Sequence, residues 1–259
     1  MHRLNLCAKF ELNNNFSGLY SFANTLSEYL KPYSEMMKTI NQNITAALEN
    51  FAEKAKPFNA FHILAKHQFT YWKPLYPDVV DGIIDSIDVN KYLSGKIDDK
   101  SFIDYNELCD EMANSPLLTD TNKAILYQAT QAMNIGLFDL SLIGIVTVFD
   151  GVLSIATQNT TTSISKRLNE IEDKIDRLSE EQWESLDESD ITAFGMYFTW
   201  TESMKGFQEY SEFNKPEKEP KSLNRHWISH GRKTTNATKL DCCKMINALY
   251  GLIYFGSSI

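Results

Sequence analysis

Glycine and proline are scarce in this chain, with 11 and 7 occurrences in 259 residues. Taken with long stretches of 3.6-residue apolar periodicity, that scarcity points to an all-α protein. Cysteine is also sparse. Cys7, Cys109, Cys242 and Cys243 form no C-x-x-C pair, and the vicinal Cys242-Cys243 suits neither a disulfide framework nor a zinc knuckle, so reduced intracellular thiols are expected. No apolar segment follows Met1-His2-Arg3-Leu4, so no signal peptide is expected and the expected location is cytoplasmic. An uninterrupted membrane span is missing too. The most apolar run, Gly136 to Ala156, is broken by Asp139 and Asp150. A span needs about 20 apolar residues, and a central Asp costs on the order of 3 kcal/mol. The run therefore reads as a buried bundle helix with no membrane partner. Asp150 is then placed at a pocket or at the bundle end, and Gly144 and Gly151 allow close helix approach. No internal repeat of 20–50 residues is present.

What is present is a globular composition, 43% hydrophobic and 12% aromatic, in a chain long enough for one large or two small domains. Residues 14–55 carry the spacing of two helices separated near Lys31-Pro32. Residues 58–72 form an aromatic-rich third helix, stopped by Pro74 and Pro77. His62 and His67 lie on it five apart and do not share a face. An acidic segment of short pieces, 78–115, ends at Asn114-Ser115-Pro116. That break divides an N-terminal helical region of unassigned role (1–115) from a C-terminal bundle (116–259). In the second part Thr119-Asp120 caps a helix closed by Asn134-Ile135-Gly136. Ile164, Leu168, Ile171, Ile175 and Leu178 repeat at a/d spacing over two heptads, as in a bundle helix or one pairing across a dimer. An acidic turn (Gln182–Ser189), an aromatic-rich helix (Ile191–Tyr210) and a charged linker (Lys215–Pro220) follow. Thr238 caps the last helix.

The chemistry gathers in Ser222-Leu223-Asn224-Arg225-His226-Trp227-Ile228-Ser229-His230-Gly231, which holds two of only five histidines. Ser222 as N-cap and Gly231 as C′ residue delimit a short helix over 222–230. On it His226 and His230 share a face, while Leu223 and Trp227 turn inward. Residues 215–244 hold eight Lys or Arg against three Asp or Glu, in a chain of net charge −9. The acidic remainder excludes non-specific nucleic-acid binding by the whole surface, and the local basic patch fits a phosphate-bearing ligand. Histidine can give or take a proton near neutrality, and arginine's planar fork suits phosphate. Those are the parts needed to cleave RNA through its own 2′-hydroxyl without metal or cofactor. Arg225 and His230 stand five apart, about 140° round a helix and about 7.5 Å along it, so one helix hardly converges them on one phosphate; two copies about a twofold axis could. Two other readings stay open. His226 and His230 could be a zinc pair, though the adjacent Glu of a metalloprotease helix is missing. Or Asn224, Arg225 and His226 could only cap helices in a non-catalytic interaction module.

Arg, one polar residue, three others, then His resembles the signature of HEPN domains (higher eukaryotes and prokaryotes nucleotide-binding). Here it reads Arg225-His226-Trp227-Ile228-Ser229-His230, with Asn224 before and Gly231 after as in bacterial members. The resemblance covers 119–259 and implies a bundle of four or five helices with the motif at or just before the last. It further implies a metal-independent endoribonuclease of a toxin–antitoxin, abortive-infection or antiviral defence system, acting as a homodimer. Arg225, His226 and His230 would then be catalytic, with Asn224, Arg232 and Lys233 binding RNA and Asp150 in support. No cofactor or metal is expected. An antitoxin or regulatory protein is a possible partner, and a binding or immunity-type module is the alternative function.

Overall fold

A computed structural model describes residues 56–71, 77–99, 104–159, 164–175, 190–209 and 215–258. Every regular element among them is helical. In chain order these are α1 (56–66), α2 (Pro77–Asp85), α3 (Val89–Asp98), α4 (Tyr105–Met112), α5 (Asp120–Asn134), α6 (Phe138–Thr157), α7 (Ile164–Ile175), α8 (Asp190–Phe207), α9 (Arg225–Ser229) and α10 (Lys239–Ser258). The all-α expectation holds. The helices expected over 14–55, the acidic turn at 182–189 and the seam residue Leu178 lie outside the described residues.

The bundle is organised around α6, the apolar run, which packs along α5, α7, α9 and α10. Ile145, Val148, Phe149, Val152 and Leu153 are fully buried on it. By length and composition α6 could cross a membrane, but more than half of its most apolar window lies inside the bundle. Gly144 and Gly151 face α5. A Cβ at Gly144 would sit 2.9 Å from the Ala129 side chain, and one at Gly151 2.7 Å from Asn122 Nδ2. Both distances are too short for a methyl, so these glycines set how closely α5 and α6 approach. On α7, Leu168 and Ile171 are fully buried, so the heptad stripe serves the bundle. One hydrophobic core runs from Ala60, Leu93 and Met112 through to Leu252, on both sides of the division expected at 115/116.

Local chemistry sets most helix ends. Thr119 Oγ1 accepts the amide of Asn122 at the start of α5. Thr238 and Asp241 exchange reciprocal hydrogen bonds at the start of α10, a capping box. Pro77 occupies the first turn of α2, where its missing N–H costs nothing.

Helix α1 ends at residue 66, short of the expected 72. The amide of Gln68 donates to Ala65 O and that of Phe69 to Leu64 O, both at 3.0 Å, with Gln68 at φ +54°. This is a Schellman stop with a non-glycine in its left-handed position. The chain then leaves without regular structure, and the Tyr71 amide donates to Thr199 Oγ1 on α8.

Candidate functional site

The motif helix α9 is shorter than the sequence suggests and is capped by a different residue. It begins at Arg225 with Asn224, not Ser222, as N-cap. The Asn224 Oδ1 accepts the amides of His226 (3.1 Å) and Trp227 (3.4 Å). Its Nδ2 donates to Glu209 O (2.7 Å) and Gly206 O (3.3 Å) at the end of α8. Asn224 is 2% exposed and both ends of its amide are committed to backbone, so it positions the helix. Ser222 is not the cap, and Leu223 after it is bound by Gln68 instead: its amide donates to Gln68 Oε1 (2.5 Å), and Gln68 Nε2 donates to Leu223 O (3.1 Å). The Gln68 side chain thus engages both backbone groups of a residue 155 positions away. Leu223 and Trp227 are buried, as their spacing predicts.

The other end of α9 is a second Schellman stop. Gly231 N donates to Ile228 O (3.1 Å) and Arg232 N to Trp227 O (2.8 Å), with Gly231 at φ +62°. His230 is the C-cap residue, exposed at the surface. The His226 and His230 rings lie parallel, with centroids 6.5 Å apart. Burial, aided by the charges of Arg225 and His230 and opposed by Asp150, holds the His226 pKa below its ordinary value. Neutral imidazole, a proton acceptor, is therefore favoured at His226 near neutral pH.

Arg225 lies across Asp150 of α6. Its Nε donates to Asp150 Oδ1 (2.9 Å) and Oδ2 (2.8 Å), and its Nη2 also reaches Oδ2. Nη1 stays outside this pair, and the side chain is 18% exposed. A second arginine, absent from the sequence reading, backs the carboxylate. Arg167 of α7 is 4% exposed. Its Nη1 donates to Ser154 Oγ (2.6 Å) and Asp150 O (3.2 Å), and its Nη2 lies 4.0 Å from Asp150 Oδ1. Burial lowers the Arg167 pKa, while Asp150 opposes the shift. Two guanidiniums around one carboxylate leave a net positive charge at a partly buried site, which suits an anionic ligand.

The structure thus brings Asp150, Asn224, Arg225, His226 and His230 together where α9 packs on α6. Arg232 continues from it as an exposed residue. Lys233 turns back into its own loop, its Nζ donating to Thr235 O (3.1 Å), Thr235 Oγ1 (3.2 Å) and Asn236 O (3.2 Å). Gln68, Ser154 and Arg167 complete the support and were not singled out from sequence. Asp150 and Ser154, polar at i and i+4 on an otherwise apolar helix, are the one signal that could have pointed to them; Gln68 and Arg167 carry none. Among the described residues no group of three or more His, Cys, Asp or Glu is placed to hold a metal ion. No family model, curated protein or solved structure matches this chain.

Proposed function

We propose that the protein is a HEPN-type endoribonuclease that cleaves RNA by attack of its own 2′-hydroxyl, working as a homodimer in a toxin, abortive-infection or antiviral defence role. One observation carries the reading: a single short helix sets a carboxylate-braced guanidinium beside two stacked imidazoles at an accessible edge of the bundle. Asp150 holds Arg225 by Nε and Nη2, so that Nη1 can meet a phosphoryl oxygen. An imidazole takes the 2′-hydroxyl proton as the oxygen attacks phosphorus, and the bond from phosphorus to the 5′-oxygen breaks. A second histidine, in its imidazolium form, gives a proton to that oxygen, leaving a 2′,3′-cyclic phosphate and a 5′-hydroxyl. His230, exposed at the helix end, is assigned one proton role. His226, held neutral, assists. Asn224 positions the helix, and Arg232 extends the basic surface along the RNA.

A second reading rests on the same ion pair. Arg225 bridged to Asp150, with Asn224 wholly used in capping, is also how a non-catalytic module would fasten its bundle end. In that case the protein would be a binding, antitoxin-like or immunity-type partner. RNA incubation in EDTA separates the two. The ribonuclease yields cyclic-phosphate ends, and a substrate with a 2′-deoxy sugar at the cleaved position stays intact. Cleavage that needs a divalent metal, or no cleavage at all, defeats the proposal. Asp150→Asn sharpens the choice. A merely structural pair costs stability only, whereas a positioned catalytic Arg225 loses rate in protein that is still folded at the assay temperature.

A further inference from the structure

His67, which the ribonuclease reading leaves unused, is the first residue past α1. The Asn90 side chain of α3 lies beside its ring, and the charges of Lys244, Asp88 and Lys66 act on it. Lys244 of α10 is the unusual member of this cluster. It is 8% exposed, whereas lysine is almost never so buried without an ion partner. Its Nζ donates to Asn90 Oδ1 at 3.1 Å. Among the described residues that is its one hydrogen bond, and no carboxylate pairs with it. The nearby carboxylates are engaged elsewhere. Asp241 Oδ2 accepts the Thr238 amide at 2.9 Å and faces Lys233 at 3.8 Å, and Asp88 Oδ1 accepts the Lys91 amide at 3.0 Å. An ammonium has three N–H donors, so Lys244 has two to spare. A buried cation with no counter-charge is costly.

We infer that Lys244, His67 and Asn90 form a second anion site, for inorganic phosphate or a small phosphomonoester, with the Lys244 ammonium as its anchor. The site needs nothing from the ribonuclease reading. Three segments supply its parts: α10 the ammonium, α3 the amide and the end of α1 the imidazole. With Asn90 Oδ1 taken by Lys244, Asn90 Nδ2 is left to donate outward. Two N–H groups of Lys244, the Asn90 amide and an imidazole N–H then match the terminal oxygens of a phosphate, and an imidazolium beside the ammonium matches its double charge. An amine this enclosed suits a small free ion better than a phosphodiester, which is substituted on both sides. Burial holds the Lys244 pKa below its ordinary value, opposed by Asp241, and burial followed by the charge of Lys244 does the same at His67. A bound anion works against both shifts, because it favours the charged forms. The site also adjoins the support of the motif, since Gln68, which binds Leu223, directly follows His67.

The test uses the whole chain and inorganic phosphate as probe. Phosphate at about 10 mM should raise the melting temperature by about 2 °C or more over sodium chloride of equal ionic strength. Dimethyl phosphate, a diester, should not. The His67 ring resonances should titrate at higher pH with phosphate than without it. Lys244→Met should abolish both responses and, having lost a buried cation, should melt at or above the phosphate-free wild type. Arg225→Ala should keep both, which separates this site from the one around Asp150. Melting that responds equally to chloride overturns the inference, as does a His67 titration that phosphate leaves unmoved. A phosphate response that survives in Lys244→Met, or disappears in a folded Arg225→Ala, assigns the anion elsewhere and overturns it too. RNA cleavage enters none of these readouts, so this site and the ribonuclease stand or fall separately.

Discussion

Helices α1 and α9 end in the same hydrogen-bond pattern but fill its left-handed position differently. At the end of α1 the position is Gln68, and at the end of α9 it is Gly231. A left-handed residue with a Cβ costs roughly 1 kcal/mol. Gln68 offsets that cost with contacts, since its amide group pairs with both backbone groups of Leu223 and reaches Ser203 O at 3.3 Å. Gly231 makes no such return, and a Cβ built there would meet nothing within 4 Å. One stop is scaffold, locking the lead-in to the motif from 155 residues away. The other leaves an open edge around His230. Gln68 places its contacts on the lead-in to the motif, whereas the position of Gly231 borders open space.

The comparison can be broken most severely at the open end. His230→Ala should lower RNA cleavage by about 10²-fold or more, the range for a lost general acid or base, with little change in melting. Equal rates in variant and wild type would assign the open edge to binding alone. At the scaffold end, Gln68→Ala strips partners from the buried Leu223 amide and carbonyl and should cost about 2 kcal/mol in urea unfolding. Gln68→Gly should cost less, by roughly 1 kcal/mol, because it relieves the left-handed backbone. Alanine proving the better substitute would mean that the side chain's contacts and the backbone strain are not in balance as described.

Gly231→Ala reverses the experiment. It should destabilise by about 1 kcal/mol through backbone strain alone, and Gly231→Asn by less, since asparagine tolerates this conformation. Because His230 is the adjoining cap residue, cleavage should drop in both. An undiminished rate would show that the stop does not orient His230.

The smallest effect is one of pH. His226, followed by its ring proton resonances, should titrate below 6.5, because burial and Arg225 disfavour its charged form. The unfolded chain then takes up the proton first. Stability is therefore full above the ordinary histidine value, declines as pH falls through it, and has lost the whole contribution once pH passes the folded-state value. In Asp150→Asn the titration should move lower still, since Asp150 is the group that favours the charge. A value at or above 6.5 in the wild type would remove the argument that His226 stays neutral.

Much of the scaffold was legible in the residues themselves. Low glycine and proline content with helical periodicity announces the all-α class. Thr119, Thr238 and Gly231 mark helix ends because caps act within a few residues of chain. The two Asp residues in the run from Gly136 to Ala156 argue for a bundle helix, and α6 is buried at the centre. His226 and His230 share a face because α9 forms. The errors have the same origin in reverse. Ser222 is a good N-cap by type, but Gln68 binds both backbone groups of Leu223, and the cap falls to Asn224. Helix α1 stops six residues early because Gln68 takes a conformation that its residue type does not advertise.

What the chain determines alone is thus whatever is decided within one or two helical turns: periodicity, caps, stops, and the grouping of Arg225, His226 and His230. What only the tertiary structure decides are the pairings between distant segments. Asp150 meets Arg225 across 75 residues, Arg167 reaches Asp150 across 17, and Gln68 joins Leu223 across 155. No local preference selects those partners. They are fixed by how α6 lies against α5, α7 and α9, and that depends on which side chains and glycines fill the space between the helices.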